Sequence, residues 1–363
     1  MKISFPFRTL VPTFFAGLID DPILLLRIRS SGRHLMFDCG QIHHLAKRTF
    51  TNLDAVFISH AHMDHWMGID AVVRQLIAAG KTVDIYGAPG LADRFEHKLN
   101  GYAWNLAEDY WSSFRVREIF PDRIGCELFS GAESFIRRRL EDEERKGALT
   151  YRNDQVDVRS TTCEHRIPSE IFRIDERPAY LIDREKLAEL GLRPGPWLGD
   201  LKRSFLHRAP LPEALTLSRE NGETLTVHDV PALLRRLLKP QPVHSIGYIS
   251  DIGYTAANRD KILGLMSGVD LLLCECTFLS EGQDRARASS HLCTTDVNEL
   301  LAELKPRFFQ PMHLSRSYSR RSDELYRELN PPAETTLLRV PLQLTPRPLL
   351  ADEIHWCDAG DDV

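Results

Sequence analysis

The chain has 363 residues, 43% of them hydrophobic and 27% charged, enough apolar material for one large buried core or two modest domains. Its formal net charge of -5 argues against bulk electrostatic attraction to nucleic acid or anionic membrane. Apolar runs such as residues 23–26 end in charge far short of the ~20 residues needed to cross a bilayer, and residues 1–10 carry no signal-peptide pattern. Seven cysteines, from Cys39 to Cys357, are an odd, scattered set rather than a disulfide framework, so a cytoplasmic location is expected.

In chain order, residues 23–29 and 33–37 read as a hairpin around Ser30-Ser31-Gly32, followed by Asp38-Cys39-Gly40 and a helix-like segment from Ile42. Residues 53–59 read as a strand that delivers Ser59-His60-Ala61-His62-Met63-Asp64-His65. Ile69, Val72, Val73, Leu76 and Ile77 then repeat with helical spacing until Gly80, the pattern of an amphipathic helix on a sheet. A strand at 83–86 and a helix through Leu99 follow. The aromatic group Tyr102, Trp104, Tyr110, Trp111 and Phe114 predicts a packed helix rather than a base-stacking surface. Residues 135–146, where three arginines precede an acidic run, predict a solvated helix or loop whose charges cancel.

Residues 170–240 carry seven prolines among mixed charges and read as an arm inserted into a single domain of residues 1–363, a candidate substrate-binding exosite. Regular patterning returns with strands at 245–250 and 271–275, a helix carrying Val297, Leu300, Leu301 and Leu304 capped by Thr294 or Thr295, and a strand at 307–310. The alternation of strands and helices indicates an α/β class.

The stretch from His60 to His65 packs three imidazoles and a carboxylate behind an apolar strand. Side chains alternate along a strand, so His60 and His62 face one way at its end, and a turn beyond brings Asp64 and His65 to a neighbouring point. That pattern suits two adjacent divalent cations, one on each pair, at the ~2.0–2.2 Å of zinc bonds to imidazole or carboxylate. Ligation by His and Asp without Cys suits Zn²⁺, and also Mn²⁺ or Fe²⁺. Four ligands do not close two coordination spheres, and three further ligand-type residues follow strand-like runs: His165, Asp251 and His313.

The order His-x-His-x-Asp-His, His, Asp, His resembles the metallo-β-lactamase superfamily from about Phe37 to Tyr318. Several stretches narrow the resemblance to the ribonuclease Z family of tRNA 3′-processing endonucleases. Among them are Phe37-Asp38-Cys39-Gly40, Tyr86-Gly87-Ala88-Pro89-Gly90-Leu91, His165-Arg166-Ile167-Pro168-Ser169 and the Gly-Pro run ending Arg193-Pro194-Gly195-Pro196. Cys274-Glu275-Cys276-Thr277 stands in the place of His-Glu-Ala-Thr, His291 opens the place of His-Ser-Thr, and His313-Leu314-Ser315-Arg316-Ser317-Tyr318 is similar to the closing His-Phe-Ser-x-Arg-Tyr.

The resemblance implies an αββα sandwich of two sheets flanked by helices. It places His60, His62 and His165 on one metal, Asp64, His65 and His313 on a second, and Asp251 between them. It also implies a phosphodiesterase that removes the 3′ trailer of precursor tRNA, with Asp64 taking a proton from the attacking water and His291, held by Glu275, protonating the leaving 3′-oxygen. A homodimer whose arms serve the opposite subunit belongs to the same expectation.

The departures from that family lie at substrate-facing positions. The glycine pair of the first loop is missing from residues 5–10, Gln41 replaces a Glu, and Ser317 replaces an Arg whose phosphate contact Arg316 or Arg320 is placed to supply. The Gly-Pro arm favours RNA. The acidic balance favours the alternative substrate, a small cyclic or nucleotide-derived phosphodiester.

Overall fold

The computed structural model describes residues 4–206 and 210–344 and divides into two compact units. The larger comprises Leu10–Thr150, Arg159–Arg173 and the described residues from Ile246; the smaller is formed chiefly by the described residues of Tyr151–Val158 and Ile174–Ser245.

In the larger unit, Leu53–Phe57 lies parallel to both His34–Phe37 and Thr82–Gly87. Ala55, Val56 and Phe57 are fully buried, which is why this strand reads as a near-continuous apolar run instead of alternating. The expected hairpin is present, with Leu24 opposite Phe37 and Arg27 opposite His34. Leu10–Phe14 extends the sheet on one side, and Ser113–Ile119 and Arg123–Ser130 extend it on the other. A second sheet contains residues 159–164 and 168–173, then Ser245–Ile249, Leu271–Glu275, Phe308–Met312 and Thr336–Leu337, with the last four parallel to one another.

Rings fill the space between the sheets. Phe37, Phe57 and Tyr86 stack across neighbouring strands at 4.7 and 4.9 Å, and Phe172 of the opposite sheet meets Phe37 and Phe57 edge-on at 5.5 and 5.7 Å. Such burial of large apolar side chains contributes about 1.5–3 kcal/mol each and fixes the spacing of the layers. On the outer faces, Ile69–Leu76 and Leu91–Leu99 cover the first sheet, while Ala256–Met266 and Thr294–Leu304 cover the second. The architecture is the expected αββα sandwich.

Three local expectations are corrected. The aromatic stretch is not helical. It is irregular as far as Trp111, and Phe114 lies in a strand; Trp104 packs 4.6 Å from Phe135, a partner remote in sequence, whereas Tyr102 and Tyr110 are exposed. The charged run forms short edge strands, Arg137–Arg139 and Glu143–Glu144, paired to Arg123–Ser130. Its arginines pair across elements, Arg139 with Glu127 at 2.8 Å and Arg137 with Glu96 at 3.2 Å. The helix Thr294–Leu304 is capped by Cys293, because Asp296 reaches back to the Cys293 backbone N–H at 3.0 Å.

The smaller unit has apolar clusters of its own, around Leu187, Leu192, Leu217 and Leu237 and around Leu201, Val230, Leu234 and Leu238. Asp183 and Asp229 cap its helices Arg184–Glu189 and Val230–Leu237. Among the described residues, six cysteines are unpaired and buried, and no helix is long and apolar enough to cross a membrane. Cys357 lies outside the described residues.

Candidate active site

The motif turn is held from beneath by Asp38. Its carboxylate accepts hydrogen bonds from the Ser59 backbone N–H at 2.7 Å, the Ser59 hydroxyl at 2.8 Å and the Tyr248 hydroxyl at 2.9 Å. Asp38 adopts φ 55°, and Gly40 follows where an added Cβ would lie 2.1 Å from the Asp64 carbonyl oxygen. Only glycine fits that approach. The chain therefore enters the one-turn helix Met63–Trp66 with His62 at its N-cap.

Three of the imidazoles are aimed by a partner on Nδ1. His65 Nδ1 stands 3.0 Å from Asp38, His60 Nδ1 3.0 Å from the Ser59 hydroxyl, and His165 Nδ1 donates to the Ser290 carbonyl at 2.7 Å. This leaves the Nε2 atoms turned inward, around Asp251 Oδ2: 3.2 Å for His65, 3.8 Å for His60 and 3.9 Å for His165. His313 ends its strand in a left-handed conformation, φ 61°, with Nε2 3.1 Å from Asp64 and Nδ1 3.5 Å from Asp251 Oδ1.

Three groups of side chains converge closely enough to grip a cation: His60, His62 and His165; Asp64, His65, Asp251 and His313; and Asp251, Glu275, His291 and His313. All seven residues expected as metal ligands thus come together. So do Glu275 and His291, whose Nδ1 lies 3.2 Å from both Glu275 oxygens. Glu275 is itself fixed by the Ile252 N–H at 2.9 Å and the Thr277 hydroxyl at 2.5 Å.

The electrostatics are those of a cation site. Burial works against the charge of Asp251, yet His313 and His65 hold its carboxyl well below the usual range. Burial and the neighbouring His65 push His60 down to about 2, so this ring is a neutral donor. Burial also opposes charge on His291, but Glu275 outweighs it and raises the imidazole to about 9. Buried His65 Nε2 and Asp251 Oδ1 have no hydrogen-bond partner, although ligand-type atoms surround them. Orphaned donors of this kind fit divalent metal, which their lone pairs would coordinate.

Arg316 lines a cleft of about 460 Å³ together with Asp64 and His313, and its guanidinium is 4.0 Å from Asp21. Arg320 is exposed and does not line that cleft, while Arg321 is tied to Glu281 at 2.9 Å and to Glu324 at 3.0 Å.

Sequence reading missed the supports. Asp38 stood in a recognised stretch, but its φ and its grip on His65 had no local signal. Asn258 had none at all. Buried in the first turn of Ala256–Met266, it accepts from the Glu164 N–H at 2.9 Å and donates to the carbonyls of Glu164 and Gly253 at 2.9 and 2.8 Å. It thereby ties the turn after Asp251 to the strand end that carries His165. Asn258→Ala is expected to weaken metal retention by roughly 10–100-fold. Metal content after graded chelator dialysis checks this, and unchanged retention would show that the clamp is only structural.

A family model described as Anti-Pycsar protein Apyc1 matches residues 23–121. Ribonuclease Z of Synechococcus sp. (strain CC9605) is 29% identical over 303 residues, covering 81% of this chain and 80% of that protein. Ribonuclease Z of Deinococcus radiodurans is 26% identical over 287 residues, covering 78% and 83%. Among solved structures, the metallo-beta-lactamase fold protein YhfI from Bacillus subtilis superposes with a TM-score of 0.51 at 13% identity, covering 92% of this chain and 98% of that one. Fold and site together define a metal-dependent hydrolase of the metallo-β-lactamase type. Within that class, the chain resembles ribonuclease Z over about four-fifths of its length.

Proposed function

We propose that the protein is a dinuclear phosphodiesterase that cleaves RNA in the manner of ribonuclease Z, removing a 3′ trailer from precursor tRNA. Its two cations, most simply Zn²⁺, are assigned to His60, His62 and His165 and to Asp64, His65 and His313, with Asp251 shared. Bound there, they supply the electrostatic neutralisation and water acidification that hydrolysis of an anionic ester requires. The remaining chemistry belongs to side chains. Asp64 is placed to take the proton of the attacking water, and His291 to give one to the leaving oxygen. Because Glu275 engages Nδ1 of His291, Nε2 is the nitrogen left to donate.

The observation that carries this reading is the pairing of half-buried His291 with buried Glu275, with His291 Nδ1 4.0 Å from Asp251. A hydrolase acting on good leaving groups has no need of such a proton donor. Relatives named Ribonuclease Z, matching about four-fifths of the chain, support RNA as the substrate. Of residues 170–240, those after the largely buried strand Pro168–Glu176 are assigned as the substrate-binding arm, and a homodimer and a cytoplasmic location belong to the same proposal.

A second reading, a small cyclic or nucleotide-derived phosphodiester, is favoured by the cleft of about 460 Å³, a size suited to a single small ligand. Purified, metal-analysed protein presented with 3′-extended precursor tRNA, a cyclic nucleotide and an aryl phosphodiester separates the two. Cleavage at the 3′ end of the tRNA body is expected; turnover of the small esters alone would favour the second reading, and inertness towards all three with metals bound would overturn both.

A further inference from the structure

We propose that Met63 and Met67 form a stacking subsite for the nucleobase attached to the scissile phosphate. The proposal rests on the phosphodiesterase reading above and names a recognition element for it. Met63 stands between two candidate ligands, His62 and Asp64, yet its own side chain points away from the core and is 77% exposed. Met67, one helical turn further on, is 41% exposed. Residues at i and i+4 share a helix face, and both methionines line the cleft that holds Asp64, His313 and Arg316. The remaining wall offers Ile19 and Leu314 as further apolar surface, Gln41 and Ser315 as polar groups able to meet a base edge, and the carboxylates of Asp20 and Asp21, the latter 4.0 Å from the Arg316 guanidinium.

The chemistry of this wall selects its occupant. Two adjacent thioethers make an adaptable, polarisable apolar surface that favours an aromatic ring. Exposed apolar side chains grouped beside a reactive centre mark a binding surface. Arg316, whose side chain is 71% exposed, supplies a cation in the same cleft, matching an anionic group on the same ligand. A flat ring joined to a phosphate meets both requirements. A purely aliphatic phosphodiester leaves the methionines in water.

The test compares thymidine 5′- and 3′-(p-nitrophenyl phosphate) with methyl p-nitrophenyl phosphate, which shares the leaving group and lacks the base. In the double variant Met63→Ala/Met67→Ala, KM for at least one nucleoside ester is expected to rise roughly 10-fold with kcat little changed, while the methyl ester is unaffected. Met63→Leu/Met67→Leu, which keeps apolar bulk, restores most of the affinity. Equal changes for nucleoside and methyl esters, or no change for any, overturn the subsite. If the wild type hydrolyses none of these esters, calorimetric binding of thymidine 5′-phosphate to the metal-loaded protein still decides the subsite, since binding that is equal in wild type and double variant overturns it; the phosphodiesterase reading fails only if precursor tRNA is not cleaved either.

Discussion

Asp251→Asn is expected to remove at least one bound cation per chain and to lower turnover about 10³-fold or more, the equivalent of several kcal/mol of lost charge stabilisation. The side chain is 2% exposed, one oxygen is orphaned, and the other faces the Nε2 atoms of three histidines within 3.9 Å. Among the described residues, no other carboxylate lies in two of the ligand groups and also approaches the third. An amide of the same shape replaces one of its oxygens with a donor that repels a cation and removes the charge that both positions share. The metal-free protein should respond as well. There Asp251 is a buried charge that the facing imidazoles favour, holding its carboxyl well below the usual range, so the neutral amide should lower apo stability even with no metal to lose. Elemental analysis, steady-state kinetics and denaturant unfolding with and without chelator check the three outcomes. Full metal content with full activity would remove Asp251 from the centre.

That carboxylate also marks how far the sequence was legible. Strand Leu53–Phe57 and the turn after it were plain because a doubly buried parallel strand is apolar throughout and a dense His/Asp turn has few other uses. His165, Asp251 and His313 were visible only as ligand-type residues after strands; parallel strands of one sheet bring Asp251 and His313 together, and the strand ending at Glu164 in the same sheet adds His165. Local pattern carries no information about the left-handed φ of Asp38 and His313, which aim one carboxylate and one ring.

The aromatic stretch was misread for a related reason. Trp104 and Trp111 are satisfied by Phe135, at 4.6 and 6.2 Å, so tertiary contact rather than helical spacing sets their conformation. Arg137 likewise finds Glu96 and Glu127 on other elements, and pairing to them turns an apparent solvated run into edge strand. The Cys293 cap escaped because a thiol ranks low as a capping group. It succeeds here because Asp296 completes the reciprocal bond.

His291→Ala is expected to slow hydrolysis about 10²–10⁴-fold for an alkoxide leaving group, as in RNA, and little for p-nitrophenolate, which departs without a proton. The geometry sets the asymmetry. Glu275, fully buried, holds Nδ1 at 3.2 Å and favours the protonated ring, which directs the proton on Nε2 to the oxygen that leaves when the P–O bond breaks. Glu275→Gln should reproduce part of the effect, because the ring is then neither oriented nor charged to the same degree. One competing role is built into the same side chains, since His291 also converges with Asp251, Glu275 and His313 closely enough to ligate a cation. Metal content separates the two. A proton donor can be removed with both cations retained and the leaving-group dependence steepened, whereas removal of a ligand lowers metal content and slows both esters alike. The first outcome is favoured because Nδ1, the nitrogen 4.0 Å from Asp251, already gives its proton to the Glu275 carboxylate and has no lone pair free for a cation.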